Sequence, residues 1–580
     1  MKKPLSLLFA LLMLVSILAG CNNTPAPVEA PDQSTVEPDA PVEEVPNTGT
    51  TEDPSPSEEP DPVEDSDPGS EPRSSNAKDI TSMDRSYFPR EETASLSMWR
   101  PFSNQYIDSL DEHKTVIWME EMTNVHVDWT SPSSEAAQTQ LMLMLASDDV
   151  TDIIDAFYGD GGYYTQTPSY AVEDELILDL TDYIPQYMPN YSALIASSDS
   201  TRLEATDDSG SMPILYALSS HFGELKSEPI WQGMLYRREF AEQLGYDKLV
   251  TLDDWHSFLT DCKTSIDTCD APLGIPGTVF DFSGNFVTAY HSHPAFYVRN
   301  GEVKYGPLDE GYRQAVENMA EWYAEGLIDV DFPLYNASFL DTENICSNHS
   351  AAITGIWGYA DTNLIGSALD EEFHLDAALN PVLTEGDEPM SSYDLHRIAR
   401  TGLAVTPEVE DIELVLRWLD QWYSFEASQR SVLGEEGVTY FVDDVGLGIH
   451  FSDDFGRTAD AKLQQSVYTF FVGAFGLRDY CNMDISSEDN NSRASCALWD
   501  TMSTDEVIPA AISMTSEESE EFGAIYADLE TYVNECVAKF VTGEKPMSEY
   551  DAFIKELTAK FDIETCIELK QAAYNRYIAR

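Results

Sequence analysis

An alternation of short β-rich runs with helical runs begins at residue 93 and restricts the fold of this chain more than any other feature. The apolar pattern predicts strands at Thr93–Trp99, Val125–Trp129 and Asp152–Phe157, with helices at Ile107–Met122 and Glu135–Ala146 between them. This βαβαβ order predicts an α/β fold with a mostly parallel sheet and helices on both faces. Ligands of such sheets lie beyond the carboxyl ends of the strands, so the loops after the three strands are the first places to look for a site.

The size and charge of the chain limit the number of lobes and the class of partner. A chain of 580 residues with 42% hydrophobic residues is too long for a single core, so we expect at least two lobes. It has 104 Asp and Glu against 32 Lys and Arg, and removal of residues 1–79 leaves 88 acids against 28 bases. The part expected to fold is therefore itself strongly acidic. Such a field repels phosphate backbones, which excludes nucleic acid as a partner.

The N-terminal segment has the features of an export signal. Lys2 and Lys3 precede about fourteen apolar residues, Leu5–Leu18, which are too few for an ordinary membrane span and suit a secretory signal. The segment ends Leu18-Ala19-Gly20-Cys21, which resembles the lipobox where bacterial lipoproteins are cleaved and acylated. We expect residues 1–20 to be a signal peptide and Cys21 to anchor the chain by lipid to the extracellular face of the cell membrane. The alternative is a plain signal peptide or short anchor with a chance cysteine.

A proline-rich acidic stretch follows Cys21. Residues 22–79 contain 12 Pro and 16 Asp and Glu, so they cannot bury enough apolar surface to offset the entropy cost of ordering. We predict that residues 21–79 form a lipidated, disordered stalk and that residues 80–580 form the folded domain. A flexible stalk would span roughly 40 to 45 Å, and a fully extended one would reach about 180 Å.

Several later segments form a pattern that recurs in one family. The segments are 141–154 (LMLMLASDDVTDII), 177–182 (ILDLTD), 187–191 (YMPNY), 234–240 (MLYRREF), 351–357 (AAITGIW), 435–440 (EEGVTY) and 532–577, which includes KFVTG and AYNRY. In type and order they resemble the extracellular solute-binding proteins of carbohydrate ABC transporters, family 1 type, especially the long lipoprotein members. The chain departs from that pattern at Glu239, where the family usually has Asp, and at Asp148-Asp149, where it usually has Gly-Asp.

The resemblance implies a fold and a function. The fold is a two-lobed one like that of periplasmic binding proteins, with the ligand cleft between the lobes and chain crossings near residues 217–234, near 397–407 and within 440–520. The function is capture of a carbohydrate, in particular an oligosaccharide, by lobe closure, and its delivery to the permease subunits of an ABC importer. We expect a monomer that uses no cofactor and catalyses no reaction. Alternatives are a receptor for another solute such as a peptide, a secreted glycoside-active enzyme and a surface adhesin.

A carbohydrate cleft needs aromatic faces that stack on sugar rings and polar groups that bond the hydroxyls. In the second lobe, Trp357 ends a predicted strand, and Tyr359 and Asp361 follow in the same loop. We predict that these three residues contact the ligand, with Trp357 as the main stacking residue. The alternative is that Trp357 packs between the lobes, because Trp is largely buried in most folds.

The first lobe and the crossing offer weaker candidates. Trp99 stands at the carboxyl end of the first predicted strand and Tyr158 directly after the third, and Asp155 would either accept a hydroxyl proton or cap the glycine turn at 159–162. Trp231 lies where the chain is expected to cross between lobes, and Asp281 lies in a polar and aromatic loop of the second lobe. Core or surface-loop roles are alternatives for both Trp231 and Asp281.

The sequence lacks the common signatures of catalysis and metal binding. It has no G-x-S-x-G, H-E-x-x-H, phosphate-loop or G-x-G-x-x-G motif, and no EF-hand loop. His291 and His293 are half of a metal site at most, and we interpret them as a loop pair. Apart from Cys21, seven cysteines remain, an odd number that argues against a complete disulfide framework.

Two helical patterns are predicted to be structural. Trp422 follows the apolar spacing of a helix over residues 412–423, and Trp418 flanks the same stripe. A second apolar stripe runs from Phe522 to Phe540, after which Gly543 ends the helix, while Ser548 and Asp551 are spaced as a capping box for the next one.

Overall fold

The computed structural model describes residues 76–580 apart from Gln105, Asp148, 159–162, 165–166, 336–341, Tyr359, Glu371, Asp394, 443–448, 452–465, 471–475, 480–490 and Ala510. In chain order the strands are β1 Ala94–Trp99, β2 Val125–Thr130, β3 Ile153–Tyr158, β4 Leu215–His221, β5 Glu224–Leu225, β6 Gln232–Arg237, β7 Leu273–Gly274, β8 Phe296–Arg299, β9 Glu302–Tyr305, β10 Ala352–Trp357, β11 Leu375–Ala378, β12 Ile398–Val405, β13 Tyr440–Val442, β14 Ile449–Phe451 and β15 Leu477–Asp479. The helices are α1 Ala77–Ile80, α2 Lys114–Thr123, α3 Ser134–Leu145, α4 Pro168–Glu173, α5 Ile184–Tyr187, α6 Pro189–Ile195, α7 Asp199–Ala205, α8 Arg238–Leu244, α9 Leu252–Ser265, α10 Glu310–Ala324, α11 Thr342–Cys346, α12 Ala360–Leu364, α13 Ile412–Gln421, α14 Phe425–Leu433, α15 Asn491–Trp499, α16 Ser516–Val541, α17 Tyr550–Lys560 and α18 Ile563–Ala579.

The first sheet confirms the predicted βαβαβ order. Its strands lie in the order β15-β4-β12-β3-β1-β2, and the short strand β5 pairs with the end of β4. β1 is parallel to both β2 and β3, and β15 is parallel to β4, whereas β12 is antiparallel to β3 and to β4. The first predicted helix is shorter than expected, because a 3-10 turn over Leu110–Glu112 ends in extended backbone at His113 before α2 begins.

The second sheet is smaller and mixed. Its strands lie in the order β11-β6-β10-β7. β6 is antiparallel to both β11 and β10, and β10 is parallel to β7. The strands of the two sheets alternate along the chain, since β1 to β5 belong to the first sheet, β6, β7, β10 and β11 to the second, and β12 and β15 to the first again. The fold is therefore two-lobed, as predicted.

Side chains alternate between the two faces of each sheet and build a core on each face. In the first lobe, Ile153 packs in one cluster and Ile154 in the other, and the same alternation holds for Met98 and Trp99. In the second lobe, Met234 belongs to the cluster that packs against α9, α10 and α16, and its neighbour Leu235 belongs to the opposite one. Both sheets are thus buried on two sides, as expected for strands covered by helices.

The two predicted structural helices are confirmed. Trp418 and Trp422 are buried together in the first lobe, and the stripe of α16 packs against the second lobe. The predicted capping box is wrong, because a 3-10 turn over Met547–Glu549 leads directly into α17 and no side chain caps that helix. In the described part of the chain, no helix combines the length and the apolarity that a bilayer crossing requires, even though α16 has 26 residues.

The folded part begins earlier than the predicted stalk boundary at residue 79. Ala77 is 0% exposed in the core of the first lobe, and its N–H donates to the Gly223 carbonyl at 2.6 Å. Asn76 caps α1, since its side-chain oxygen accepts the N–H of Lys78. Residues 76–79 fall at the end of the proline-rich acidic stretch that predicts disorder, but the Asn76 cap, the bond to Gly223 and the buried Ala77 place them in the first lobe.

Two deletions that differ only in residues 76–79 test where the folded part begins. We expect removal of residues 22–75 to leave the free energy of unfolding unchanged. Removal of 22–79 should lower it by about 1–3 kcal/mol, because it deletes a helix cap, a backbone hydrogen bond and a buried methyl group. Urea unfolding of the two non-lipidated chains measures the difference, and equal stabilities would contradict the assignment.

Candidate ligand-binding site

The chain passes between the two sheets at one edge of each. In the first sheet, the carboxyl ends of β1 to β4 and β15 share an edge, and β12 begins at that edge because it runs antiparallel. Residues 226–231 lead from this edge to the start of β6, and residues 379–397 lead back to it from the end of β11. Because β6 is antiparallel to β10 and β11, the carboxyl ends of these two strands lie where the connections meet the second sheet.

Trp357 is the last residue of β10 and stands at this edge. It pairs in register with Gln232, the first residue of β6, and is 40% exposed although the rest of β10 is buried. The next residue, Gly358, donates its N–H to the Trp231 carbonyl at 2.9 Å. Trp231 is half-buried in the connection between the lobes. The two tryptophans named from the sequence are therefore neighbours in the structure.

Strand β10 contains a β-bulge just before Trp357. The register shifts between Ile353 and Ile356, and Gly355 within the bulge has φ of +64°. A Cβ at Gly355 would come within 2.9 Å of the Asp281 side chain. Glycine is required here for both its backbone angle and the close approach of Asp281.

Asp281 organises its own loop. Its carboxylate is buried and accepts the N–H of Ser283 at 2.7 Å and the side-chain amide of Asn285 at 2.6 Å. Burial raises the pKa of this carboxyl, and the hydrogen bonds partly oppose the rise. Asp281 thus holds its own loop together through both carboxylate oxygens, and a ligand contact for it stays a prediction.

The loop that Asp281 folds presents an aromatic ring that the sequence analysis did not select. Phe282 is 49% exposed, and its ring centroid lies 5.4 Å from that of Tyr393, which belongs to the connection after β11. The Ser392 N–H donates to the Ser283 carbonyl at 2.9 Å and fixes this connection against the loop. The turn sequence Asp281-Phe282-Ser283-Gly284 was the available signal, because it places an aromatic residue at the tip of a tight loop. We name Trp231, Phe282, Trp357 and Tyr393 the aromatic edge.

Asp361 also makes contacts within the protein. Its side chain is buried and accepts the backbone N–H of Leu375 at 2.7 Å, which ties the start of α12 to β11. Its second oxygen lies 3.6 Å from Nδ1 of His374. Asp361 therefore joins α12 to β11, and a ligand contact for it stays a prediction. Tyr359 lies outside the described residues and stays a prediction.

In the first lobe, Trp99 is a core residue and not a ligand contact. It is 0% exposed and meets the ring of Tyr163 edge-on, with 5.9 Å between centroids. The error has a simple cause: alternate residues of β1 face opposite sides of the sheet, and the position of Trp99 faces the core shared with Leu141 and Ile154. Tyr158 was expected directly after the third strand and is instead the last residue of β3, and its side chain is outside the described part, so a ligand contact stays a prediction.

Asp155 forms a buried ion pair at the carboxyl edge of the first sheet. It is 2% exposed and bonds the guanidinium of Arg100, which follows β1 and is itself 7% exposed. The Arg100 guanidinium also lies 5.3 Å from the ring centroid of Phe470. The pair occupies the place where a ligand of the first lobe is expected, and a ligand contact for Asp155 stays a prediction.

The histidine pair has partners within the protein. His293 is buried, with Nδ1 at 2.6 Å from the Ser392 hydroxyl and Nε2 at 3.1 Å from the Glu506 carboxylate. Burial lowers the pKa of His293, and Glu506 partly opposes this. Through Ser392 this histidine supports the connection that carries Tyr393. Across the described ranges, no three His, Cys, Asp or Glu side chains gather as a metal site would require.

Comparison with known proteins gives relatives along most of the chain. The fructooligosaccharide ABC transporter substrate-binding protein FusA of Streptococcus pneumoniae is 22% identical over 523 residues, which cover 85% of this chain and 92% of that protein. An HMO-binding, ABC-transporter-associated solute-binding protein of Bifidobacterium longum infantis has a TM-score of 0.65 at 17% identity and covers 84% of this chain and 99% of its own. The alginate-binding protein AlgQ2 has a TM-score of 0.63 at 18% identity, with the same coverage of 84% and 99%.

No family model matches the chain. The resemblance to substrate-binding proteins of ABC transporters is nevertheless confirmed by the similarity to FusA along most of both chains. The solved structures show the same two-lobed fold. The chain thus has the architecture of a two-lobed solute-binding protein, and its aromatic edge lies where the lobes are joined.

Proposed function

We propose that this protein is the substrate-binding lipoprotein of an ABC importer and that it captures an oligosaccharide between its lobes. The observation that carries the proposal is the exposure of Trp357 and Phe282 at the edge where the connections meet the second sheet. Exposed aromatic faces at a junction between lobes are costly unless something covers them. FusA and the HMO-binding protein are named for oligosaccharide ligands, which supports the same class for this chain.

The aromatic edge suits sugar rings for a chemical reason. The C–H face of a sugar ring is apolar and stacks on an aromatic face, while its hydroxyls need hydrogen-bonding partners around the rim. Trp357 ends β10, whereas Phe282 and Tyr393 lie in two other segments and contact each other, so the edge offers two stacking places. Two places favour a ligand of more than one ring over a monosaccharide.

Binding is coupled to transport through the connections between lobes. Residues 226–231 and 379–397 carry Trp231 and Tyr393, so the segments that bend during closure also belong to the aromatic edge. A ligand that touches both lobes favours the closed state over the open one by its extra contacts there. The permease then recognises the closed arrangement. Nothing in this cycle needs a reaction of the ligand, so we propose binding without catalysis.

Lipid on Cys21 completes the proposal by keeping the receptor beside its permease. The stalk allows a radius of search of roughly 40 to 45 Å if it is flexible, which raises the local concentration at the membrane without fixing an orientation. The expected location is the extracellular face of the cell membrane.

Replacement of Trp357 tests the stacking role. Loss of an aromatic anchor that is desolvated only when ligand binds commonly costs 2 kcal/mol or more. We therefore expect Trp357→Ala to weaken oligosaccharide binding at least about thirtyfold. Unfolding of the ligand-free protein should change little, because the side chain is exposed. Calorimetric titration and thermal unfolding of the same variant give both values.

Trp99→Ala is the matched control, since Trp99 is buried in the core. We expect it to lower the free energy of unfolding by about 3–5 kcal/mol and to leave affinity nearly unchanged where the protein is still folded. A Trp357→Ala protein that unfolds much more easily but binds normally would assign Trp357 to packing. Trp357→Tyr should restore much of the affinity if stacking is the cause.

Cys21→Ala tests the anchor, because acylation requires the thiol. The variant should be secreted or remain as uncleaved precursor, without lipid, as measured by metabolic labelling with a fatty acid and by membrane fractionation. Cys262→Ala is the control, since that thiol is buried in the folded part and should not affect labelling. Normal lipid labelling of Cys21→Ala would refute the proposed anchor.

A further inference from the structure

A tight turn in the first lobe carries an exposed aromatic residue. β4 and β5 form a hairpin in which His221 is the register partner of Glu224, so Phe222 and Gly223 are the two residues of the turn. Both have positive φ, +49° for Phe222 and +82° for Gly223. Two-residue turns of this kind favour Asn, Asp or Gly at the first position, because a bulky side chain there clashes with its own backbone. Phe222 therefore occupies a position that its side chain disfavours.

The rest of the fold holds this turn in place. The buried carboxylate of Asp479, the last residue of β15, accepts the N–H of Phe222 at 3.0 Å and the N–H of Gly223 at 2.6 Å. The carbonyl of Gly223 accepts the N–H of Ala77 at 2.6 Å. A Cβ at Gly223 would come within 2.9 Å of the Phe425 ring. Backbone strain persists only where surrounding contacts over-determine the conformation, and in proteins it concentrates at functional sites.

Packing does not explain why the residue at this position is Phe. Phe222 is 47% exposed and belongs to none of the four hydrophobic clusters that the described residues form. The ring of His221 meets it edge-on, with 4.9 Å between centroids. An exposed ring on a disfavoured backbone lowers stability without a compensating gain in burial. The residue type therefore indicates a role in binding.

The turn lies where a ligand of the first lobe is expected. β4 ends at the edge that it shares with the carboxyl ends of β1, β2, β3 and β15, and the turn follows directly. β5 ends three residues after Phe222, and the connection over residues 226–231 then leads to Trp231 in the aromatic edge. The Glu228 N–H donates to the His396 carbonyl at 2.7 Å, so the two connections lie against each other just after the turn. Phe222 and Trp231 thus stand at opposite ends of one connection between the lobes.

We infer that Phe222 is a ligand contact of the first lobe and that its ring stacks on a sugar of the captured oligosaccharide. The inference rests on the proposed function, because it adds a residue to the site for the same ligand. A protein that closes around its ligand needs contacts from both lobes, and the aromatic edge belongs to the second lobe and the connections. The clamped turn fixes the backbone under the ring before the ligand arrives, which reduces the entropy lost on binding.

Replacement of Phe222 by Asn should change folding and binding in opposite directions. Asn before Gly is a preferred pair for this turn, so we expect Phe222→Asn to shift the folding equilibrium about fivefold toward the folded state. Loss of the stacked ring should weaken oligosaccharide binding at least about tenfold. A residue that only packs would give the reverse, with lower stability and normal affinity where the protein is folded. Urea unfolding and titration calorimetry on the purified lipoprotein in neutral detergent measure both values.

Two further variants separate stacking from bulk. The probes are kestose, maltotriose and lacto-N-tetraose, and thermal shift of the unaltered protein selects the one used for every variant. Phe222→Tyr keeps the ring and should retain affinity within about threefold, whereas Phe222→Leu keeps apolar bulk without a flat face and should lose at least about tenfold. A Phe222→Leu protein that binds as tightly as the unaltered one would overturn the inference. The same pair decides the question should Phe222→Asn not fold.

Leu143→Asn is the matched control for the loss of an exposed apolar side chain. Leu143 is 66% exposed in the last turn of α3, which returns the chain from the carboxyl edge of the first sheet to the opposite edge. Its replacement should leave the affinity for the probe unchanged.

A fluorine label reports contact at position 222 directly. Phe222→Trp, produced with 5-fluorotryptophan, should add one fluorine resonance to the spectrum of the protein. That resonance should shift when the probe binds, because the ring of the ligand comes to lie against it. An added resonance that saturating probe does not move would contradict the contact.

The outcomes separate the inference from the proposed function. Normal affinity of both Phe222→Asn and Phe222→Leu would overturn the inference and leave the proposed function standing. Normal affinity combined with lost uptake in cells would also overturn it, and would assign the ring to the contact with the permease. Absence of binding of all three probes to the unaltered protein would remove the proposed function and the inference together.

Discussion

The parallel pairing of β1, β2 and β3, extended by β4 and β15, is the constraint on which the arrangement of this protein depends. Parallel strands run in the same direction, so their carboxyl ends share one edge of the sheet. The helix between two such strands returns the chain to the opposite edge, where the next strand begins. The antiparallel strand β12 begins at that edge, so the chain can leave for the second lobe and return without crossing the sheet. The junction of the lobes and the place for a ligand follow from this one geometric rule.

Buried carboxylates near that junction bind backbone N–H groups and one arginine, and so fix the segments around it. Asp281 and Asp361 bond loop backbone, and Asp155 pairs with Arg100. Asp420 follows the same pattern farther away, since it accepts the N–H groups of Asn190 and Tyr191 at the start of α6, and burial raises its pKa to about 7. In a strongly acidic chain, these acids are buried in structural contacts, while Phe282 and Trp357 are exposed near two of them.

The sequence predicted the strands and helices of the first lobe closely, because burial on both faces gives each element a regular apolar pattern. It predicted Trp357 at the end of a strand and Trp231 at a crossing between the lobes, and the structure has them at these places. Trp99, Asp281 and Asp361 stand at the expected places in the chain, but their side chains are buried. Position at the end of a strand is a local property, whereas the direction of a side chain depends on which face of the sheet another element covers. Phe282 and Tyr393 were missed because their contact joins residues more than a hundred positions apart.

The sequence by itself determined the acidic proline-rich stretch, the order of strands and helices in the first lobe and the absence of common catalytic motifs, and it predicts an export signal, because these are properties of neighbouring residues and of composition. Only the tertiary structure decided which aromatic residues are exposed together, which acids are occupied by backbone N–H groups, and that residues 76–79 belong to the folded part through Ala77. These facts depend on contacts between distant segments. Such contacts form only when the chain folds and loses the conformational entropy of its unfolded state. The aromatic edge therefore forms only in the folded protein, because its residues are far apart in the sequence.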